Sequence, residues 1–149
     1  MFGIPRSALL LGLAGVIPFA WGVLTMVSPL IGQWSAQTLG PRLVGPFLQL
    51  QYGIVILAFM SGVLWGFATK TEGSAAATGY GLSVLPALWA FFMVGNGAQA
   101  AATSLAIGFI GLLALDWQFS LWDLTPTWWL KLRLLLTSLV IICLVPVMI

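Results

Sequence analysis

The residues best placed to do chemistry in this 149-residue sequence are Asp116 and Arg133. Arg133 follows Lys131 by two positions near the start of the last apolar segment, and two positions turn an α-helix by about 200°. A lysine at such a place extends its amine toward water, so Arg133 is predicted to face the apolar interior, where a cation needs a carboxylate. Asp116, at the end of the predicted fourth span, is the candidate carboxylate. We therefore predict a buried ion pair acting as a structural clamp, with a proton- or anion-binding site as the alternative.

Few other side chains could support catalysis or bind a metal. The chain has no histidine and one cysteine, so haem, bacteriochlorophyll and most zinc or copper sites lack their usual imidazole ligand. Cys143 lies in an apolar run and is interpreted as an inert buried thiol. Asp116, Asp123 and Glu72 are predicted near one interface, as in an enzyme acting on lipid, but no nucleophile and base pair accompanies them. We expect no enzymatic activity, no catalytic residue, no metal site and no cofactor.

The composition assigns the chain to the membrane. Hydrophobic residues make up 61% of it and charged residues 5%, whereas soluble domains carry about 25% charged residues. A bilayer-crossing helix needs about 20 mostly apolar residues, and the apolar runs predict an all-α integral membrane protein, a compact bundle of about five transmembrane helices. The predicted spans, in one transmembrane domain over residues 1–149, are residues 7–31, 47–68, 79–94, 98–115 and 126–147. Pro18 and Pro86 should bend the first and third spans.

Three segments are predicted to connect these spans. Residues 32–46 are rich in Gly and Pro and form the first loop, and residues 69–78 form a tight connection. Residues 116–125 mix acidic and aromatic side chains, which predicts a segment in the membrane interface. Thr125 and Pro126 match a helix N-cap and first helical position. A helix starting there places the predicted buried arginine at a depth of about 10 Å.

The basic residues predict the orientation of the chain. Cytoplasmic loops of membrane proteins carry an excess of lysine and arginine. With five spans, Arg6, Lys70, Lys131 and Arg133 fall on one side of the membrane and Arg42 falls on the other. This excess predicts a cytoplasmic amino terminus and a periplasmic carboxyl terminus. No segment rich in Arg and Ser precedes the first span, which favours a bacterial inner (cytoplasmic) membrane over an imported organelle protein.

Two sets of small residues suit close helix packing. Ala58, Gly62 and Gly66 recur at four-residue spacing on one face of the second span. Ser104 and Gly108 form a weaker groove of the same kind in the fourth span. In lipid, small residues permit close approach of helix backbones. We interpret the first set as packing within this protein's own bundle, with a contact face for another subunit as the alternative.

Tryptophans are unusually numerous, at eight in the chain. The predicted interfacial anchors are Trp34, Trp117, Trp122, Trp128 and Trp129, together with Lys131. Trp21, Trp65 and Trp89 fall deeper in the predicted spans, where packing in the core is the first interpretation. The tail of a quinone, lipid or pigment lying against these rings is the alternative.

The segment QYGIVILAFMSGVLWG, residues 51–66, resembles the hallmark of a family of unknown function that includes mitochondrial transmembrane protein 69 and proteobacterial inner-membrane homologues (domain of unknown function 3429). The matching residues are Tyr52, Gly53, Ile56, Leu57, Phe59, Gly62, Trp65 and Gly66. Ala58 stands where the family usually has serine, and Leu64 stands where a basic residue or histidine is frequent. This chain therefore lacks two polar groups of the family pattern.

The resemblance extends over nearly the whole chain. It includes LGLAGVIPF at residues 11–19 and VLPAL around Pro86. The closing pattern consists of Asp116, Pro126, Trp129, Leu132, Arg133, Leu136 and Thr137. The resemblance implies a compact polytopic inner-membrane protein with no established activity, and it assigns no reaction to the aspartate or the arginine.

Two functions fit these features. The first hypothesis is a non-catalytic accessory or assembly subunit of a larger membrane complex, such as one of respiratory or photosynthetic electron transfer. The alternative is a small carrier or binding protein for a lipid or quinone, with a cleft lined by Trp65, Trp89, Tyr52 and Arg133. The expected partners are membrane lipids and other integral membrane subunits. Five basic residues spread along the chain form no phosphate-binding patch, which excludes nucleic acid.

Overall fold

The computed structural model describes residues 3–149, and within this range the chain forms helices and no β-strand. The helices are α1 (Arg6–Ala14), α2 (Ile17–Val27), α3 (Pro29–Thr38), α4 (Phe47–Ala68), α5 (Gly73–Ser83), α6 (Leu85–Met93), α7 (Ala98–Leu121) and α8 (Trp129–Met148). A short 3-10 helix covers Pro41–Leu43.

Five helical segments in this part of the chain are long and apolar enough to cross a membrane. They are Arg6–Val27, Phe47–Ala68, Gly73–Met93, Ala98–Leu121 and Trp129–Met148. Large apolar side chains on their outer faces are highly exposed, for example Leu11 at 74% and Phe91 at 77%, as expected where helices face lipid. The prediction of an all-α protein with about five transmembrane helices is confirmed.

The first and third spans are each built from two helices that meet at a proline. α1 ends at Ala14, and Pro18 occupies one of the first two positions of α2. Pro86 has the same position in α6, which begins at Leu85, shortly after α5 ends at Ser83. Proline lacks an N–H and its ring collides with the carbonyl four residues earlier. Each of these two spans is therefore interrupted in the turn before its proline.

The predicted first loop is wrong over much of its length. Residues 29–38 of this region form α3, and the first span ends at Val27. Ser28 caps α3 by accepting a hydrogen bond from the Ile31 N–H at 3.4 Å, and Pro29 follows at the first helical position. A serine cap followed by proline starts a new helix, and the predicted first span over residues 7–31 overlooked this signal.

Three other boundaries differ from the predicted ones. The third span begins at Gly73, six residues before the predicted start at residue 79, and α7 continues to Leu121. Much of the predicted interfacial segment, residues 116–125, is therefore helical, and the buried side chain of Phe119 holds this last part of α7 in the core. α8 begins at Trp129 and not at residue 126, and Thr125 makes no capping bond.

α4 lies at the centre of the bundle, where it contacts α2, α5, α6 and α7. α7 and α8 form the most extensive helix pair. Phe19, Leu57, Leu105 and Phe109 are buried where these helices meet. The Phe19 ring packs edge-on against Phe109 at 6.1 Å between ring centroids.

Two side-chain hydrogen bonds join distant parts of the chain at opposite ends of the bundle. Lys70 Nζ donates to the Leu124 carbonyl at 2.8 Å, which joins the connection after α4 to the connection after α7. Gln99 Nε2 donates to the Met148 carbonyl at 2.7 Å near the other end. We call the end of the bundle that contains the Lys70 bond the Lys70 end. α1 also starts near it, because Gly12 packs against Leu136 in the first half of α8.

Candidate ligand-binding site

The centre of the candidate site is a buried ion pair between α7 and α8. Arg133 Nε donates to Asp116 Oδ2 at 2.8 Å, and the two side chains are 5% and 0% exposed. Trp129 Nε1 donates to the other carboxylate oxygen, Oδ1, also at 2.8 Å. Both oxygens of Asp116 are therefore engaged, as a buried carboxylate requires.

The helical period explains how these groups meet. Trp129 and Arg133 are four residues apart on α8 and so lie on the same face, which is turned toward α7. Lys131, two positions from Arg133, is exposed. Because α8 begins at Trp129, Arg133 lies about 6 Å along the helix axis from its start, less than the depth predicted from the sequence.

A cavity of about 550 Å³ lies beside the ion pair, between the first span, α4, α7 and α8. We call it the Arg133 cavity. Its walls include Phe19 from α2, Met60 from α4, and Arg133 and Thr137 from α8. Apart from these last two and Tyr52, the lining is almost wholly apolar. Such a cavity is suited to a hydrophobic molecule with one polar end.

Two polar atoms of the cavity-lining residues are buried without a hydrogen-bond partner in the described chain. They are Arg133 Nη2 and Thr137 Oγ1, and both residues are less than 5% exposed. A buried donor or acceptor left unpaired costs about 1–3 kcal/mol, and more when charged. The two residues are one helical turn apart on the same face of α8, and we call them the polar patch of the cavity.

Tyr52 lies deeper in the cavity. Its ring packs edge-on against Phe19 at 5.4 Å between centroids, and its hydroxyl lies close to Gly15, at the end of α1. Tyr52 precedes Met60 by eight residues, about 12 Å along α4. The Arg133 cavity is therefore elongated along the helices, with its polar patch toward the Lys70 end.

The cleft predicted from the sequence is only partly correct. Tyr52 and Arg133 line the same cavity. Trp89 lies elsewhere, beside a second, apolar groove between α6 and α7. Trp65 is 48% exposed and packs on Tyr80, with 4.5 Å between the ring centroids. Neither tryptophan contributes to the Arg133 cavity.

The small residues Ala58, Gly62 and Gly66 do not pack within the chain, so the first interpretation of this set is wrong. All three are exposed, and a Cβ at Gly62 or Gly66 would meet no atom within 4 Å. α4 instead buries Leu57 and Leu64 on its opposite side. The alternative interpretation, a contact face for another subunit, stays a prediction.

The second small-residue groove is filled by an indole ring. Trp89 Nε1 donates to the Ser104 carbonyl at 2.7 Å. A Cβ at Gly108 would lie 2.8 Å from Trp89 Cδ1 and 2.9 Å from Leu57 Cδ1. Gly108 therefore permits the close packing of α6 and α4 on α7.

The predicted interfacial anchors divide into two groups. Trp34, Trp117 and Trp122 are between 41% and 58% exposed, as expected for side chains at the membrane surface. Trp128 and Trp129 are partly buried and line the Arg133 cavity. Trp129 shares a helix face with the buried arginine and binds its carboxylate partner, and its role as an anchor stays a prediction.

Two polar residues of structural importance were missed as sites from the sequence. Thr137 is recognisable afterwards by its four-residue spacing from Arg133. Gln49 is fully buried, and its Nε2 donates to the Cys143 carbonyl at 3.0 Å. Its Oε1 has no partner among the described residues. Within residues 3–149 no group of three or more His, Cys, Asp or Glu side chains is placed to hold a metal ion.

Comparison with known proteins agrees with the family resemblance found in the sequence. A family model described as a protein of unknown function (DUF3429) matches residues 4–149. Transmembrane protein 69 of Xenopus tropicalis is 34% identical over 145 residues, which are 95% of this chain and 53% of the relative. Transmembrane protein 69 of Mus musculus is 34% identical over 138 residues, 89% of this chain and 51% of the relative. The chain thus spans about half the length of these curated relatives. No solved structure matches it.

Proposed function

We propose that this chain, which belongs to the DUF3429 family of proteins of unknown function, is a multi-pass membrane protein that binds a lipid or quinone in the Arg133 cavity. The observation that carries the proposal is the pair of buried atoms without partners, Arg133 Nη2 and Thr137 Oγ1, on residues lining a largely apolar cavity. Its volume of about 550 Å³ lies within the range of small-molecule sites. A polar head on this patch and an apolar body along the cavity would satisfy both features.

The proposed role is binding without catalysis. Asp116 would be the natural general base in the site, but Arg133 and Trp129 occupy both of its oxygens. The remaining polar groups of Arg133 and Thr137 can hold an oxygen atom of a ligand and orient it. We therefore assign the ion pair the task of fixing the arginine in place.

Filling the cavity should remove the bound molecule. Ala8 lines the cavity from α1 and is partly exposed. We expect Ala8→Trp to reduce the amount of co-purifying lipid or quinone by about ten-fold, equivalent to about 1.4 kcal/mol of binding energy. Native mass spectrometry of the protein in mild detergent, followed by extraction and identification of the bound molecule, measures this amount.

Ala14→Trp is the matched control. Ala14 is on the same helix, is exposed and does not line the cavity, so this variant should keep the bound molecule. Equal occupancy in both variants, or a wild-type protein that carries no molecule under any mild condition, would contradict the proposal.

A second candidate function is an accessory or assembly subunit of a larger membrane complex, such as one of respiratory or photosynthetic electron transfer. The exposed set Ala58, Gly62 and Gly66 favours it, because small residues on a lipid-facing surface let another helix approach closely. Gly62→Ile should then release the protein from its complex, whereas Gly81→Ile, at an equally open position of α5, should not. Recovery of a lone monomer from native membranes under every mild condition would rule out this role.

We propose a bacterial inner-membrane location with the amino terminus in the cytoplasm. The exposed residues Arg6, Lys70 and Lys131 lie toward the Lys70 end, and Arg42 is exposed in the connection before α4. Asp116 neutralises Arg133 inside the bundle, so this arginine is left out of the comparison of basic residues. Three exposed basic residues then lie on one side of the membrane and one lies on the other. This excess still places the Lys70 end in the cytoplasm by the positive-inside rule.

Labelling of single cysteines tests this orientation. Cys143 is first replaced by alanine, and Glu72→Cys and Thr38→Cys are then made separately at exposed sites of opposite ends. A membrane-impermeant maleimide should label the cysteine at position 38 in intact cells with a permeable outer membrane. It should label the cysteine at position 72 only after lysis. The reverse pattern would invert the topology.

A further inference from the structure

We propose that the head group held in the Arg133 cavity is a neutral carbonyl on a flat ring, as in an isoprenoid quinone. This inference rests on the binding function proposed above and names the class of ligand. Charge, donor geometry and the aromatic lining of the cavity each support it.

The charge of the site favours a neutral ligand. Arg133 is the one charged residue among those that line the cavity in the described chain, and Asp116 neutralises it at 2.8 Å. A phosphate or carboxylate head group would bring a second negative charge into apolar surroundings with no cation left to balance it, which is unfavourable. A neutral oxygen acceptor adds no charge.

The donors of the site favour a carbonyl oxygen. Arginine has N–H donors and no acceptor, so Nη2 requires an acceptor atom, and the Thr137 hydroxyl can donate as well. The two residues are one turn apart on α8, where side chains are about 5–6 Å apart at Cβ. A single carbonyl oxygen, which has two lone pairs, can therefore accept a hydrogen bond from each of them.

The walls of the cavity favour a flat ring over an ester. Aromatic side chains from each of the surrounding spans line it, for example Phe19, Phe59, Phe109 and Trp129. Several already pack edge-on, such as Phe67 on Trp129 at 5.2 Å between centroids. Aromatic rings gain from offset or edge-on contact with another ring. A quinone ring offers that contact, and an isoprenoid tail can follow the elongated cavity toward Tyr52.

Binding to three probes tests the inference. Purified full-length protein in nanodiscs of phosphatidylcholine is titrated with a short-chain ubiquinone analogue, with oleate and with dioleoylglycerol, and the bound probe is quantified by mass spectrometry. We expect the quinone to bind at least about ten-fold more tightly than either lipid. Thr137→Val removes one donor and keeps the ion pair, and it should weaken quinone binding by about five-fold, the effect of one hydrogen bond.

Thr103→Val is the control, because Thr103 is exposed on α7 and lies outside the cavity; its quinone affinity should equal that of the wild type. Tighter binding of oleate or dioleoylglycerol than of quinone, or no effect of Thr137→Val, would overturn the quinone assignment and leave the binding function standing. If no probe binds and the purified protein carries no lipid or quinone, the proposed function fails as well.

Discussion

Arg133→Met is expected to lower the free energy of unfolding by about 3–5 kcal/mol, the range measured when one partner of a buried ion pair is removed. The reason is that Asp116 is fully buried and would lose its cationic partner, leaving only the Trp129 N–H to compensate the buried carboxyl group. Asp116→Leu should have a similar effect, because it leaves the guanidinium without its carboxylate. Unfolding by denaturing detergent, followed by circular dichroism, measures both changes.

The double variant Asp116→Leu/Arg133→Met separates a structural clamp from a binding role. Replacing both charges of a buried pair with apolar side chains is often neutral, although here the Trp129 N–H would lose its acceptor at a cost of about 1–3 kcal/mol. We expect the double variant to be more stable than either single variant and to lose the bound molecule. Single variants as abundant and stable as the wild type would contradict the clamp.

Gly45→Ala is expected to produce the largest loss of stability outside the ion pair, about 1–3 kcal/mol, typical of an overpacked site. Gly45 lies where the connection before α4 crosses α2, and its N–H donates to Thr25 Oγ1 at 2.9 Å. A Cβ there would collide with the Gly22 carbonyl oxygen and lie 2.6 Å from Gln49 Oε1. Because the first obstacle is backbone, this connection would have to move away from α2.

Gly62→Ala is the control for this prediction, since a Cβ at Gly62 meets no neighbouring atom. It should be as stable as the wild type in detergent. If α4 moves with this connection, Phe19 of α2 shifts away from Tyr52 of α4, so we expect Gly45→Ala to weaken ligand retention although it touches no cavity residue. Equal stability of the two glycine variants would show that the crossing is looser than the structure indicates.

The features that could be predicted from the sequence are those that depend on the period of the α-helix and on the local amino-acid composition. The 200° separation of Lys131 and Arg133 predicts one on the surface and one in the interior, and the structure shows Lys131 exposed and Arg133 buried against Asp116. Apolar runs also located the five spans, because lipid imposes a strong constraint on helix length. Their ends were less predictable: α3 shows that a serine and proline pair can start a helix as well as end one.

The features that depend on packing between distant segments could not be predicted. The Arg133 cavity exists because the first span, α4, α7 and α8 leave space between them, and no single segment encodes that space. In the sequence, nothing distinguishes Trp129 from an interfacial tryptophan, because its contact with Asp116 is made in space and not along the chain. Similarly, Ala58, Gly62 and Gly66 have the spacing of a packing face, but only the positions of the other helices show that this chain leaves it open.

The most direct test of the central claim is an experimental structure of the full-length protein in lipid nanodiscs at a resolution that shows side chains and bound lipids. The account predicts a non-protein molecule in the Arg133 cavity with an oxygen atom within about 3.2 Å of Arg133 Nη2 and of Thr137 Oγ1, and with Asp116 still bonded to Arg133 and Trp129. A closed bundle in which protein side chains fill this space, or an Arg133 whose Nη2 is bonded to a protein oxygen, would contradict it.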